Sequence, residues 1–312
     1  MTKAEQSIAD VLQNSFDIRA DVISAGNGQA ETTRFRIESG DKKWLAKHHG
    51  PYFESNTSFI EYECAMLEFL AQSDLPVAPN IRTVDGRPFE ILDNRPLVVY
   101  EWSEGYVEWP TSLAKSRLLG SALAKMHVAL DGFSSNIPSP RYDIDRLIER
   151  PLELLRPFAE SETQYARLCS SVREVLPLVS AIPLDSASFG PIHGDIHQGN
   201  CHFASESELT VLDFSLAGIG YRTYDLTGFL WPMRDQTIED PAMQTACQGF
   251  LEGYDQIRPL TSAERDAIPA FVQLRSLWET GNWIEAGTGR EQPEEVAKAI
   301  PYLIQQFEAS FS

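Results

Sequence analysis

The chain has 312 residues, 43% hydrophobic and 23% charged, enough apolar material for a sizeable core and an ordinary charge content. Asp and Glu number 45 against 26 Lys and Arg, for a formal net charge of −19. That balance argues against a nucleic-acid partner or an anionic membrane surface, because both need a basic face.

Cys64, Cys169, Cys201 and Cys247 lie far apart with no C-x-x-C pair, so neither a disulfide framework nor a zinc ribbon is signalled. The N-terminus carries no apolar h-region, and no apolar run reaches bilayer length. The expected compartment is a reducing cytoplasm.

In chain order, Ile8, Val11, Leu12 and Phe16 recur at helical spacing, predicting a helix over 4–16. Phe35 and Ile37 alternate with Arg34 and Arg36, "SGD" turns the chain, and "KWLAKHH" returns, predicting two paired strands. "SFIEYECAMLEFLAQSD" predicts an amphipathic helix, ended by "LPVAPN" because proline cannot continue the ladder. "PFEILDNRPLVVYEW" predicts a hairpin whose "LVVY" is a buried strand. A helix follows at "SLAKSRLLGSALAKMHVAL", and helical patterns then dominate, except for short strands at "CHF" and "LTVLDF". The division expected is therefore 1–102, a strand-rich nucleotide-binding lobe, and 103–312, a helical lobe carrying the catalytic loop and the acceptor site. A cleft between such lobes is a natural ligand site.

The chemistry concentrates at 190–213. "HGDIHQGN" offers His193, Asp195 and Asn200 in the spacing H-x-D-x-x-x-x-N, and "LDF" offers Asp213 after an apolar strand. Phosphoryl transfer needs a carboxylate for the attacking hydroxyl and oxygen ligands for a hard cation, and this order supplies both. His193, Asp195, His197 and His202 could also serve a hydrolytic metal, but His48, His49 and His127 are not spaced to complete such a site. A phosphate-binding cation held by an acid is expected too. Lys47 in "WLAKHH" and Glu63 on the next helix fit, with Glu61 as the competing acid facing elsewhere. Gly26, Asn27 and Gly28 in "SAGNGQA" serve either to cover phosphates with backbone N–H groups or simply to turn a hairpin.

"HGDIHQGN", "LDFSLAGIGYRTYDLTGFLW" and "LGSALAKMH", supported by "LEFLAQSDLPVAP" and "LVVYEWSEG", resemble the aminoglycoside phosphotransferase and choline-kinase-like superfamily over about residues 20–285. The resemblance implies an α+β, protein-kinase-like bilobal fold, with a five-stranded antiparallel sheet in the N-lobe and a mainly helical C-lobe. It implies ATP and Mg2+ as cofactors and a small-molecule hydroxyl as acceptor. By carry-over Asp195 is the catalytic carboxylate, Asn200 and Asp213 are Mg2+ ligands, and Lys47 with Glu63 orders the phosphates. The backbone of Glu101 and Ser103 would bind adenine. Asp225, in "TYDLTGFL", would support the catalytic loop with His193, its carboxylate accepting backbone N–H bonds.

"DFS" stands where protein kinases have D-F-G, and no A-P-E segment follows, which favours a small-molecule kinase. The later segments look most like the branch with type II homoserine kinases and, nearby, bacterial stress-response kinases acting on protein Ser/Thr. The acceptors implied are an amino alcohol, a homoserine-like compound or an aminoglycoside, with protein Ser/Thr as the alternative. A nucleotide-binding regulator without transfer activity is a further alternative, but Lys47, Glu63, Asp195, Asn200 and Asp213 are all intact. Tyr221, Trp231, Trp278, Glu279, Trp283 and Glu285 are candidates for the acceptor wall, where aromatic faces and acids suit an ammonium. Core packing is the competing use of those tryptophans.

Overall fold

The computed structural model describes residues 2–26, 32–235 and 240–310. Two compact units emerge. The first is Met1–Tyr106 joined by Phe133–Ser139 and Cys201–Leu216, and the second takes Val107–Gly132, Pro140–Asn200 and Ala217–Ser312. The segment carrying Asp213 thus folds with the strand-rich unit rather than with the helices that surround it in sequence.

In the first unit, helix α1 (Lys3–Phe16) starts at a Thr2–Glu5 capping box, each side chain satisfying the other residue's N–H. Its stripe of Ile8, Leu12 and Phe16 packs with Phe35, Ile37, Ala46, Leu97 and Val99 of the sheet. The strands are β1 (Val22–Ala25), β2 (Thr33–Ser39), β3 (Lys42–His48), β4 (Asn80–Ile81), β5 (Glu90–Leu92) and β6 (Arg95–Glu101). They pair antiparallel in the order β1-β2-β3-β6-β4, with β5 also on β6. The sheet is therefore six-stranded, not five-stranded as the resemblance implied, because the two-residue β4 adds to it.

Helix α2 (Thr57–Gln72) buries Ile60, Tyr62, Met66, Leu67 and Leu70, and also the charged Glu63. The expected strands near 201–211 form an antiparallel pair, Cys201–Phe203 with Leu209–Val211. Bridges from Val77 to Val211 and from Tyr106 to Phe203 tie that pair to the rest of the unit.

The second unit is mainly helical: α3 (Leu113–Leu130), α4 (Pro241–Ile257), α5 (Ser262–Glu285) and α6 (Pro293–Ser310), with shorter helices between. Helices α3 and α4 approach until backbone meets backbone. A Cβ at Gly120 would collide with the Phe250 carbonyl, and one at Gly253 with the Arg117 carbonyl. Arg141–Tyr142, Gly218–Tyr221 and Phe189–Ile192 form a small sheet with the middle strand parallel to the first and antiparallel to the last. The last strand runs directly into His193 and the "HGDIHQGN" segment.

Candidate active site

In the first unit, Lys47 on β3 and Arg34 on β2 stand directly opposite each other in the antiparallel register. Facing like charges repel unless an anion lies between them. Asp213 supplies it: Lys47 Nζ lies 2.7 Å from Oδ1 and Arg34 Nη2 2.9 Å from Oδ2. Ser215 Oγ donates to Oδ1 at 2.7 Å. Burial alone would raise the Asp213 carboxyl, but Lys47, Ser215 and Arg34 outweigh it and hold it far below the usual carboxylate range. Asp213 has a φ of 60°, in the left-handed region that Asp enters more readily than most residues.

Glu63 does not form the expected pair with Lys47. Its Oε1 accepts from Tyr100 Oη at 2.8 Å, and its buried Oε2 has no partner. Burial pushes its pKa up to about 7, against the lowering charge of Lys47, so the Lys47 ammonium is matched by Asp213 instead. His49, two residues beyond Lys47, is fully buried with neither ring nitrogen paired. Burial and the Lys47 charge push its pKa well down, so the imidazole is neutral.

In the second unit the loop that starts at His193 hangs from one buried carboxylate. Asp225 Oδ2 accepts the His193 N–H at 2.8 Å, and Oδ1 accepts the Gly194 N–H at 2.7 Å. His127 Nε2 lies 2.9 Å from Oδ2, and its Nδ1 lies 2.7 Å from the Tyr254 hydroxyl. Burial works against the Asp225 anion, but the hydrogen bonds from His127 and from the His193 N–H keep its pKa low. Gly194 has a φ of 84°, which a residue with a side chain would adopt only under strain. His193 Nδ1 accepts the Asp195 N–H at 3.1 Å, closing the turn.

Asp195 is thereby presented with its carboxylate partly exposed. Arg275 Nη2 binds its Oδ1, Asn200 Nδ2 lies 3.1 Å from its Oδ2, and His197 Nε2 lies 3.7 Å from the same oxygen. Burial would raise its pKa, but the neighbouring His197 and the Arg275 charge hold it below the ordinary Asp range. Asn200 Nδ2 also donates to the Asp195 main-chain carbonyl at 2.9 Å. With the amide nitrogen so used, the amide oxygen is the group left for a hard cation.

Of the remaining predicted residues, Gly26 ends against β2, its N–H donating to the Arg34 carbonyl at 2.7 Å; Asn27 and Gly28 lie outside the described residues. The Glu101 N–H donates to the Pro79 carbonyl at 2.9 Å, and the Ser103 carbonyl lies 3.3 Å from His202 Nδ1. Among the acceptor-wall candidates, Tyr221 and Trp278 are core residues packed tilted or edge-on against other rings, and Glu285 pairs with Arg150. Trp231 Nε1 donates to Ser276 Oγ at 3.1 Å. Glu279 belongs to the Asp195 cluster through Arg275.

Arg34 and Arg275 were not anticipated. Arg34 had a readable signal, its register opposite Lys47; Arg275 had none in a helix otherwise read as core and wall. For the hydrolase alternative, among the described residues no three His, Cys, Asp or Glu side chains converge to hold a metal.

Residues 22–260 match the model of the phosphotransferase enzyme family, APH. The chain belongs to that family. Its members are phosphotransferases with hydroxyl acceptors, and so is this enzyme. The homoserine kinase of Rhizobium johnstonii is 30% identical over 226 residues, spanning 70% of this chain and 67% of that protein. An amicoumacin kinase solved with AMP-PNP, Ca2+ and Ami has a TM-score of 0.77 at 19% identity, covering 98% of this chain and 94% of that one. A microcompartment-associated aminopropanol kinase has a TM-score of 0.73 at 20% identity, covering 98% and 95%. These two share the α+β, protein-kinase-like fold of the family member described here. No helix among the described residues is long and apolar enough to cross a membrane.

Proposed function

We propose that this phosphotransferase moves the γ-phosphoryl group of ATP, with Mg2+, to the hydroxyl of a small cytoplasmic molecule carrying an amine, such as an amino alcohol, a homoserine-like compound or an aminoglycoside. The observation that carries the reading is the Asp195 carboxylate, held ionised and oriented on a loop fastened by Asp225. Asp195 accepts the hydrogen bond of the acceptor hydroxyl and then its proton. A carboxylate of low pKa is a weak base, which suits a loose transition state in which the nucleophile needs aim more than activation.

Lys47 and Arg34 bind phosphate oxygens. In the structure they share Asp213, and incoming phosphate competes for the same two cations, freeing Asp213 as an oxygen donor. Asp213 in the first unit and the Asn200 amide oxygen in the second are each oxygen donors of the kind Mg2+ accepts, and each would serve as a ligand. Bound Mg2+ would supply charge neutralisation at the phosphates. The likeness of "VVYEWSEG" to the family's hinge strand assigns adenine recognition to the backbone of Glu101 and Ser103. Glu63, its pKa raised to about 7 by burial, is held by the Tyr100 hydroxyl rather than by Lys47.

The amine preference draws on the acidic chain, on Glu279 beside Asp195, and on the names of the homoserine and aminopropanol kinases it resembles. A phosphorylation screen over alcohols, amino alcohols, aminoglycosides and protein extract tests the reading. A phosphorylated small amine is expected. Label confined to protein bands would instead identify a protein kinase, and ATP binding without transfer a regulator.

A further inference from the structure

On α5, Arg275 and Glu279 stand one helical turn apart, and both belong to the cluster around the catalytic loop of the same unit. Arg275 is only 3% exposed. Each of its guanidinium nitrogens meets a different oxygen: Nη2 the Asp195 Oδ1, Nη1 the Gly194 carbonyl at 3.2 Å, and Nε the Glu279 Oε1 at 2.9 Å. A buried cation is tolerated only when paired and hydrogen-bonded, and this one is engaged through all three of its nitrogens. The planar fork therefore fixes the carboxylate and the loop carbonyl together, which a lysine, a point charge on a flexible stem, cannot do.

We propose that Arg275 is a positioning residue for phosphoryl transfer: it grips Asp195 by Oδ1 so that Oδ2 receives the acceptor hydroxyl, with Glu279 holding the guanidinium in plane. The inference rests on the reading of Asp195 as the base. The step balances as follows. The acceptor oxygen bonds to the γ-phosphorus, the β–γ bridging P–O bond breaks with its electron pair leaving on ADP, and the hydroxyl proton passes to Asp195 Oδ2 and then to solvent. Arg275 touches none of the reacting atoms. Its contribution is geometric, since the Asn200 amide and His197 approach Oδ2 and leave that oxygen without a comparable ionic anchor. An Asp195 free to rotate would present either oxygen at the wrong angle, and an error of about 1 Å in such a group costs about 10²-fold in rate.

The test uses the full-length protein and ADP release, which reads transfer to any acceptor, water included. Mg-ATP is supplied alone and with homoserine or 1-amino-2-propanol as probes. Arg275→Met is expected to lower kcat by about 10²-fold, with the KM for ATP within about threefold of the parent. Arg275→Lys should recover part of that loss, and Glu279→Gln should lose less than Arg275→Met. Should Arg275→Met fail to fold, Arg275→Lys decides: reduced kcat at unchanged KM supports the proposal, and parental kcat overturns it. A raised KM with kcat intact also overturns it.

Asp195→Asn run in parallel separates the two claims. If it is inactive while the Arg275 variants are fully active, only the positioning role falls. If it retains full rate, or if the parent releases no ADP under any condition, the reading of Asp195 falls as well.

Discussion

Replacing Asp225 with Asn changes one buried atom and removes one charge, and the structure sets the cost. Asp225 is 0% exposed and accepts from three donors: the N–H groups of His193 and Gly194, and His127 Nε2. An amide has one acceptor oxygen, so at least one of those donors would face an NH2 group. Hydrogen bonds to a charged acceptor contribute about 1.5–3 kcal/mol each, and breaking a buried charged network costs about 3–5 kcal/mol. The Asp225→Asn variant is therefore expected to lose about 3–5 kcal/mol of stability in urea unfolding followed by tryptophan fluorescence. Activity should fall at temperatures where the variant is still folded, because the same N–H groups hold Gly194 beside Asp195. The sign with pH also follows. The folded pKa of Asp225 lies below its ordinary value, so its stabilisation is present at neutral pH and lost as pH falls through the acid range. Parent and variant should then converge at low pH. A variant within about 1 kcal/mol of the parent at neutral pH would refute the reasoning, since no buried network breaks so cheaply.

Glu63 has the opposite sign. Its folded pKa is raised to about 7 from 4.5, so the folded state holds a proton that the unfolded state releases, and stability declines as pH rises through that window. Glu63→Gln should therefore gain on the parent between pH 5 and 8, by on the order of 3 kcal/mol, in paired denaturation curves; parallel curves would contradict it. His48, His49 and His127 all have lowered folded pKa values, so protonation of the unfolded chain should erode stability as pH falls below 6.5, and His49→Leu should flatten that slope measurably. Gly120→Ala drives a methyl into the Phe250 carbonyl and should cost about 1–3 kcal/mol, read as a lower urea midpoint; an unchanged midpoint would mean that α3 and α4 part easily.

The legible parts of this molecule were those whose chemistry is local in sequence. His193, Asp195 and Asn200 occupy one short loop, and the structure closes it with bonds among its own members, from Asp195 N to His193 and from Asn200 to Asp195. The strands around Lys47 were legible because alternation and turn residues set the register. The counter-ion of Lys47 was not. Glu63, on the next helix, is the partner the sequence order points to, but burial favours its neutral form and Tyr100 holds it. Asp213, 166 positions away, took the role. Such a pair leaves no periodic trace. The left-handed backbone at Asp213 is equally silent, because Asp tolerates that region without a marker residue. Arg275 was hidden for a related reason: an arginine on a long helix reads as a solvated position until the fold buries it against a carboxylate. The short β4 lacked the length for any alternation to be visible.

The most direct measurement is transfer of labelled γ-phosphate from ATP to the acceptor found in the screen, comparing the parent with Asp195→Asn under matched Mg2+. The expected result is a phosphorylated small molecule formed by the parent and a rate about 10²–10⁴-fold lower in the variant, the range for a positioned general base. Equal rates in the two proteins would contradict the assignment of the Asp195 carboxylate.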